Sequence, residues 1–247
     1  MNWFWHTSES VDRGLGFTYF GREHLFCLAI CVFSVLAATG FYCRCAEKKR
    51  KICRISVAVS IVVIELVKQI PLLVTRRWLP SYLPLHLCNI NVFLILWHAI
   101  RPNIILSNFL YCICLPAAFA AWLFPGWNDL PAWNFLYIHS WVLHVLLVLY
   151  PFALTVKGDI RPRLKDGCRA ALLLAGIALI IYFLNIAMQK AGASVNFFFL
   201  SSVTPYNPLY YFEKIWGNHL YGMPLVVTTV ILMMYLPFEI KGKIPET

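Results

Sequence analysis

WNFLYIHSWVLHVLLVLYPFALT (133–155) contains no Asp, Glu, Lys or Arg. A run of this length and composition is long enough to cross the hydrocarbon core of a bilayer as one helix, which takes about 20 residues. Further apolar runs occupy roughly 24–43, 52–74, 83–100, 104–124, 168–188 and 220–238. The expected fold class is all-α: a polytopic transmembrane helix bundle of about seven spans, forming a single transmembrane helical domain over 1–247.

Composition points the same way. The chain is 60% hydrophobic and only 13% charged, with a mean hydropathy of +0.69. A water-soluble fold of this size has too little interior to hide that much apolar surface, whereas lipid can solvate it. Aromatic residues make up 16%, which suits belts of Trp and Tyr at the two membrane interfaces. The first residues, MNWFWHTSESVDRGLGFTYFGREHL, lack the basic-then-apolar order of a cleaved signal peptide, so the first span is expected to serve as the insertion signal and to remain. For a bacterial chain the destination is the cell (inner) membrane.

The net charge of +10 does not imply nucleic acid, because the basic residues lie between apolar runs and form no folded basic domain. They suit anionic headgroups and the positive-inside rule. Arg44, Lys48, Lys49, Arg50, Lys51 and Arg54 separate the first two spans, and Arg101 lies between the third and fourth. Lys157, Arg161, Arg163, Lys165 and Arg169 separate the fifth and sixth, and Lys241 and Lys243 follow the seventh. With seven spans, all of these share one side. The other side has only Arg13, Arg22, Arg76, Arg77, Lys190 and Lys214. The N-terminus is therefore expected outside and the C-terminus inside. A tag at residue 247 should react with an impermeant label only from the cytoplasmic face, and reaction from outside would mean a miscounted span.

Two outer segments stand out. PGWNDLPAW (125–133) reads as a tight, Trp-rich turn. VNFFFLSSVTPYNPLYYFEKIWGNHLYG (195–222) is aromatic, and Pro205 and Pro208 prevent it from being one straight helix. It suits an interfacial anchor, or alternatively a lid over a lipid-facing cavity. Nine cysteines with no CxxC pair imply no disulfide framework. Cys27, Cys31, Cys88, Cys112 and Cys114 fall inside apolar runs, where Cys behaves as a small hydrophobe.

Ionisable groups within spans are costly and by default mark function. Glu65 and Lys68 share a helix face and form either a neutralised packing pair or part of a site. In LPLHLCNIN (83–91), Cys88 would lie about 7 Å into a helix starting at residue 83. His86 would point to another face, and Asn91 would share the face of Cys88. An activated Cys needs a His from another helix. The fifth span supplies His139 and His144, five residues apart and about 140° round the helix. Depth alone places His139, about 9 Å in, beside Cys88, and places Glu65 level with His144. Glu65 is then expected to accept a hydrogen bond from His144 and hold its tautomer, unless it pairs only with Lys68. Both packing and a Cys/His dyad remain open on spacing. No HxxxH or HxxE spacing within a span supports a metal site, and no cofactor is implied. His24 and His98 near span ends and His219 in the outer aromatic segment are expected at the interfaces.

The ordered set LPLHLCNINVFL, LPAAFAAWLFPGW, LHVLLVLYPFAL, GDIRPRLKD, NFFFL…P and MMYLPF resembles the YwaF/TMEM164 family of integral membrane proteins over about residues 60 to 240. The resemblance implies a multi-span protein. It also implies, from the eukaryotic branch, acyl transfer between phospholipids through a membrane-embedded Cys. On this resemblance the motif Cys falls on Cys88 and the helix-centred His on His144 rather than His139. Asn89 stands where the family often has Ser.

Two functions follow. The first is a lipid-modifying enzyme, carrying out phospholipid acyl transfer or acyl-ester hydrolysis. Cys88 would be its nucleophile, His144 its base and then acid, Asn91 an oxyanion donor and Glu65 the tautomer holder, with His86 and His139 lining the substrate site. The second is a non-enzymatic transporter, channel or lipid-handling protein with Glu65 and Lys68 in its pathway. In either, the partners are membrane phospholipids. No soluble partner is implied.

Overall fold

The computed structural model describes residues 3–12, 14–203 and 207–241. Arg13, Pro205 and Lys243, used above, lie outside these. The described residues form an all-helical bundle: α1 (Arg22–Arg44), α2 (Glu47–Val74), α3 (Leu87–Ile100), α4 (Ile104–Phe109), α5 (Leu115–Leu123), α6 (Phe135–Lys157), α7 (Leu164–Lys190), α8 (Tyr210–Trp216) and α9 (Gly222–Lys241). Among the described residues, seven helical segments are long and apolar enough to cross a membrane, with α4 and α5 together making one of them. This is the make-up of an integral multi-pass membrane protein.

Helix ends depart from the apolar runs where local chemistry dictates. α2 starts at Glu47, ahead of the apolar run, because the basic residues there are good helix formers whose stems can lie along the bundle while their charges stay in water. The third span behaves oppositely. Pro80–Tyr82 forms one 3-10 turn, and α3 begins only at Leu87. Pro84 has no amide hydrogen and disfavours a helical residue before it, so the chain stays irregular up to His86. The fourth span is continuous but is underwound by a π-helical turn, Leu110–Cys114. Pro116 leaves the carbonyl of Cys112 without its usual donor, and a wider turn absorbs the mismatch.

α6 is the hub. It packs against α1, α2, α3 and α5, while α7 packs on α4 and α9. Its buried side chains surround much of the helix and include Trp141, His144, Leu147, Tyr150 and Leu154. The peripheral helices turn large apolar groups outward: Phe33, Val74, Leu172 and Met233 are each more than two-thirds exposed. This inversion is stable because lipid tails are as apolar as the side chains facing them. Where α7 crosses α9, Gly167 lets the ring of Tyr235 approach, since a Cβ there would stand 2.6 Å from it. The Tyr235 hydroxyl reaches across to donate to Asn108 Oδ1 of α4 at 2.7 Å.

One end of the bundle is closed by irregular chain. Asn134 caps α6 by accepting from the amides of Leu136 and Tyr137, at 2.8 and 3.2 Å. Its Nδ2 donates to the carbonyls of Trp3 and His6, each at 2.8 Å. Replacing Asn134 with Ala removes a cap and leaves two half-buried carbonyls without their donor. A loss of about 2 kcal/mol is expected, read as a lowered thermal midpoint. An unchanged midpoint would mean that the N-terminal segment contributes nothing to the bundle.

His24, His98 and His219, expected at the interfaces, are buried within the protein, at 0, 2 and 4% exposure. Each is satisfied by bonds invisible in sequence. His24 accepts from the Phe20 amide and its Nε2 meets the Trp122 carbonyl at 2.7 Å. His98 bridges the Tyr150 and Ser107 hydroxyls, each at 2.9 Å. His219 bonds the Phe199 carbonyl at 2.8 Å and faces Glu213.

Candidate functional site

Because α3 starts late, Cys88 lies in its first turn and His86 is the residue that precedes the helix, with φ −69° and ψ 155°. The expectation that both lie along a helix from residue 83 is therefore corrected by Pro84. The first rung of the α3 ladder runs from the Ile90 amide to the His86 carbonyl at 2.9 Å, so the amides of Leu87, Cys88 and Asn89 precede it. Backbone N–H groups at such a helix start carry partial positive charge and favour an anion, including a thiolate.

α6 brings His144 to this turn. His144 Nε2 stands 3.2 Å from Cys88 Sγ, and its Nδ1 stands 2.7 Å from the Ser140 carbonyl oxygen. A carbonyl only accepts, so Nδ1 carries the hydrogen, and in the neutral ring Nε2 is left to accept from the thiol. The ring is clamped by Trp127, stacked on it at 4.9 Å and 28°. Trp127 is in turn held edge-on by Trp141 at 5.4 Å. His144 is 7% exposed and Cys88 is half-buried. The pair is therefore shielded from water but not sealed.

The structure does not bring Glu65 to His144. Glu65 Oε1 accepts from Lys68 Nζ, and Glu65 Oε2 lies 3.5 Å from His139 Nε2. The expected Glu65–His144 bond gives way to the Ser140 carbonyl for a helical reason. His139 and His144 point about 140° apart, so when His144 faces α3, His139 faces α2. The alternative that Glu65 pairs only with Lys68 is also incomplete, since His139 completes a buried trio.

Asn91 is 1% exposed and its Oδ1 has no hydrogen-bond partner. It is not in hydrogen-bonding contact with Cys88 or His144. The ring of His86 rests against Phe197 at 5.2 Å and Phe199 at 6.0 Å. Phe197 belongs to the aromatic outer segment and is fixed there by Asn185 of α7, which donates to its carbonyl at 2.9 Å and accepts from its amide at 3.0 Å. Part of the 195–222 segment thus covers the His86 side of the site. Sequence reasoning did not find Trp127, the Ser140 carbonyl or Phe197. The first and last sit in segments noted only for their aromatic content, and a backbone carbonyl carries no sequence signal. Among the described residues, no group of three or more His, Cys, Asp or Glu side chains converges as a metal site, and all nine cysteines are free thiols.

Neither the curated proteins nor the solved structures contain a match to the chain. The family described as the TMEM164 family matches residues 19–235, from the approach to α1 almost to the end of α9. That match spans every element that builds the Cys88–His144 site and most of the chain, so this protein belongs to the TMEM164 family.

Proposed function

We propose that the protein is a lipid-modifying membrane enzyme that moves an acyl group from a glycerolipid ester through a thioester on Cys88. The observation that supports this reading is the 3.2 Å contact of Cys88 Sγ with His144 Nε2, on a ring whose other nitrogen is tied to a backbone carbonyl. In the first half-reaction His144 takes the thiol proton as sulfur bonds to the ester carbonyl carbon. The C–O bond then breaks and the departing lipid alkoxide takes the proton from His144. In the second half, His144 takes the proton of an acceptor hydroxyl or of water as that oxygen attacks the thioester. The C–S bond breaks and the thiol recovers the proton. The amides at the start of α3 share the first turn with the thiol and are suited to the developing oxyanion.

The test is chemical capture. The protein in nanodiscs is incubated with a fluorescent-acyl phosphatidylcholine, quenched in acid, digested and mapped by mass spectrometry. The expected result is a hydroxylamine-labile acyl group on the peptide carrying Cys88. No acyl group, or one on another residue, would overturn the reading. The buried Glu65–Lys68–His139 trio favours a second reading as a transporter pathway. That reading predicts flux that survives Cys88→Ala.

A further inference from the structure

Three buried indole N–H groups, those of Trp122, Trp127 and Trp141, have no hydrogen-bond partner. A buried Trp usually finds an acceptor, because an orphan donor forfeits its hydration. Of the three, Trp127 is the one stacked on His144, at 4.9 Å and 28°, and it is 8% exposed. Cys88 Sγ stands 3.2 Å from His144 Nε2, at the edge of the ring that Trp127 covers. Stacking uses the face of the indole, whereas its N–H lies in the ring plane, so the clamp on His144 leaves the donor free.

The turn that carries Trp127 is fixed by the N-terminal segment. The Phe17 amide donates to the Asn128 carbonyl at 2.9 Å, and the Tyr19 hydroxyl reaches the Pro125 carbonyl at 3.3 Å. Gly16 passes so close that a Cβ there would stand 2.0 Å from the Asn128 carbonyl oxygen. Donors held in place before the reaction are the ones that stabilise charge appearing only in a transition state.

We propose that Trp127 is a catalytic residue whose indole N–H serves as an oxyanion donor to the acyl carbonyl that Cys88 attacks. The assignment rests on the thioester reading above and names a further group of that site. As sulfur bonds to the carbonyl carbon, the π pair of the carbonyl moves onto oxygen. The Trp127 N–H and the amides of the first turn of α3 receive that charge. When the C–O bond to the leaving group breaks, the pair returns to re-form the carbonyl, and the leaving oxygen takes the proton from His144. The second half-reaction passes through an oxyanion on the same carbonyl and uses the same donor.

The test compares two reactions of the thiol in the full-length protein in nanodiscs, each read by mass spectrometry on the peptide carrying Cys88. p-Nitrophenyl octanoate acylates the thiol through an oxyanion. Iodoacetamide alkylates it at a saturated carbon by displacing iodide, and no oxyanion forms. Trp127→Phe keeps an aromatic ring on His144 and removes the N–H. A second variant carries benzothienylalanine at position 127, which preserves the shape of the indole and lacks the donor. In both, acylation should slow roughly 100- to 1,000-fold, the loss that follows removal of one oxyanion donor. The rate and pH profile of alkylation should stay at wild-type values. Unchanged acylation in the benzothienylalanine protein would overturn the assignment. So would acylation and alkylation slowing together, which is what a ring that only clamps His144 produces. If the wild type is acylated by the ester but not by phosphatidylcholine, the enzymatic reading alone fails, and the ratio of the two rates still decides the role of Trp127.

Discussion

On the thioester reading, Cys88→Ala is expected to lower acyl release from a phosphatidylcholine donor at least about 1,000-fold, since Cys88 is the group that would form the covalent intermediate. His144→Asn should cost about 100- to 10,000-fold, the range for loss of a positioned general base. The double variant should be no slower than Cys88→Ala alone, because a nucleophile and its base act as one unit and their losses do not add. A thiol control is available in the same core. Cys114 is fully buried and its Sγ meets the Leu147 carbonyl at 3.6 Å, so Cys114→Ala should leave acylation intact. If Cys88→Ala retains full turnover in a single-round acyl-release assay, the contact with His144 is a packing contact and the thioester reading fails.

Glu65→Gln is expected to destabilise the protein by about 3 kcal/mol or more, because it strands the Lys68 ammonium in the bundle. Lys68 is 8% exposed, and its Nζ is held on the Glu65 carboxylate. A free Lys on a helix lowers its cost by stretching towards the interface. Here the packing that buries the stem restricts that escape, so the unpaired-charge term should dominate. Glu65→Gln combined with Lys68→Met removes both charges and should recover most of the lost stability. Thermal midpoints of the two variants side by side decide this. A double variant no more stable than the single one would mean that Lys68 is not neutralised by Glu65. The same single variant separates Glu65 from the dyad. His144 takes its tautomer from the Ser140 carbonyl, so the pH profile of Cys88 alkylation in the folded fraction should keep the wild-type midpoint.

Much of this molecule is written in its composition. Continuous apolar runs of about 20 residues separated by basic clusters point to a membrane-spanning helix bundle, since the backbone in lipid must pair internally and a single such run does so as a helix. Glu65, Cys88, His139 and His144 were recognisable because ionisable or reactive groups are rare in such runs, so each one is conspicuous. Pairing was not legible from spacing, and only the family resemblance set Cys88 with His144. Depth along straight helices put His139 beside Cys88 and Glu65 beside His144. The structure pairs them the other way, Cys88 with His144 and Glu65 with His139. Two physical facts account for the exchange. Pro84 delays the start of α3, which moves Cys88 into the first turn and shifts every depth measured from residue 83. Helix rotation is set by packing against several neighbours at once, and no periodicity within α6 says which of its two His faces α2 and which faces α3. The tautomer of His144 depends on a backbone carbonyl, and its orientation depends on a Trp from a distant turn. Residue identities alone encode neither, so only the folded bundle decides which groups meet.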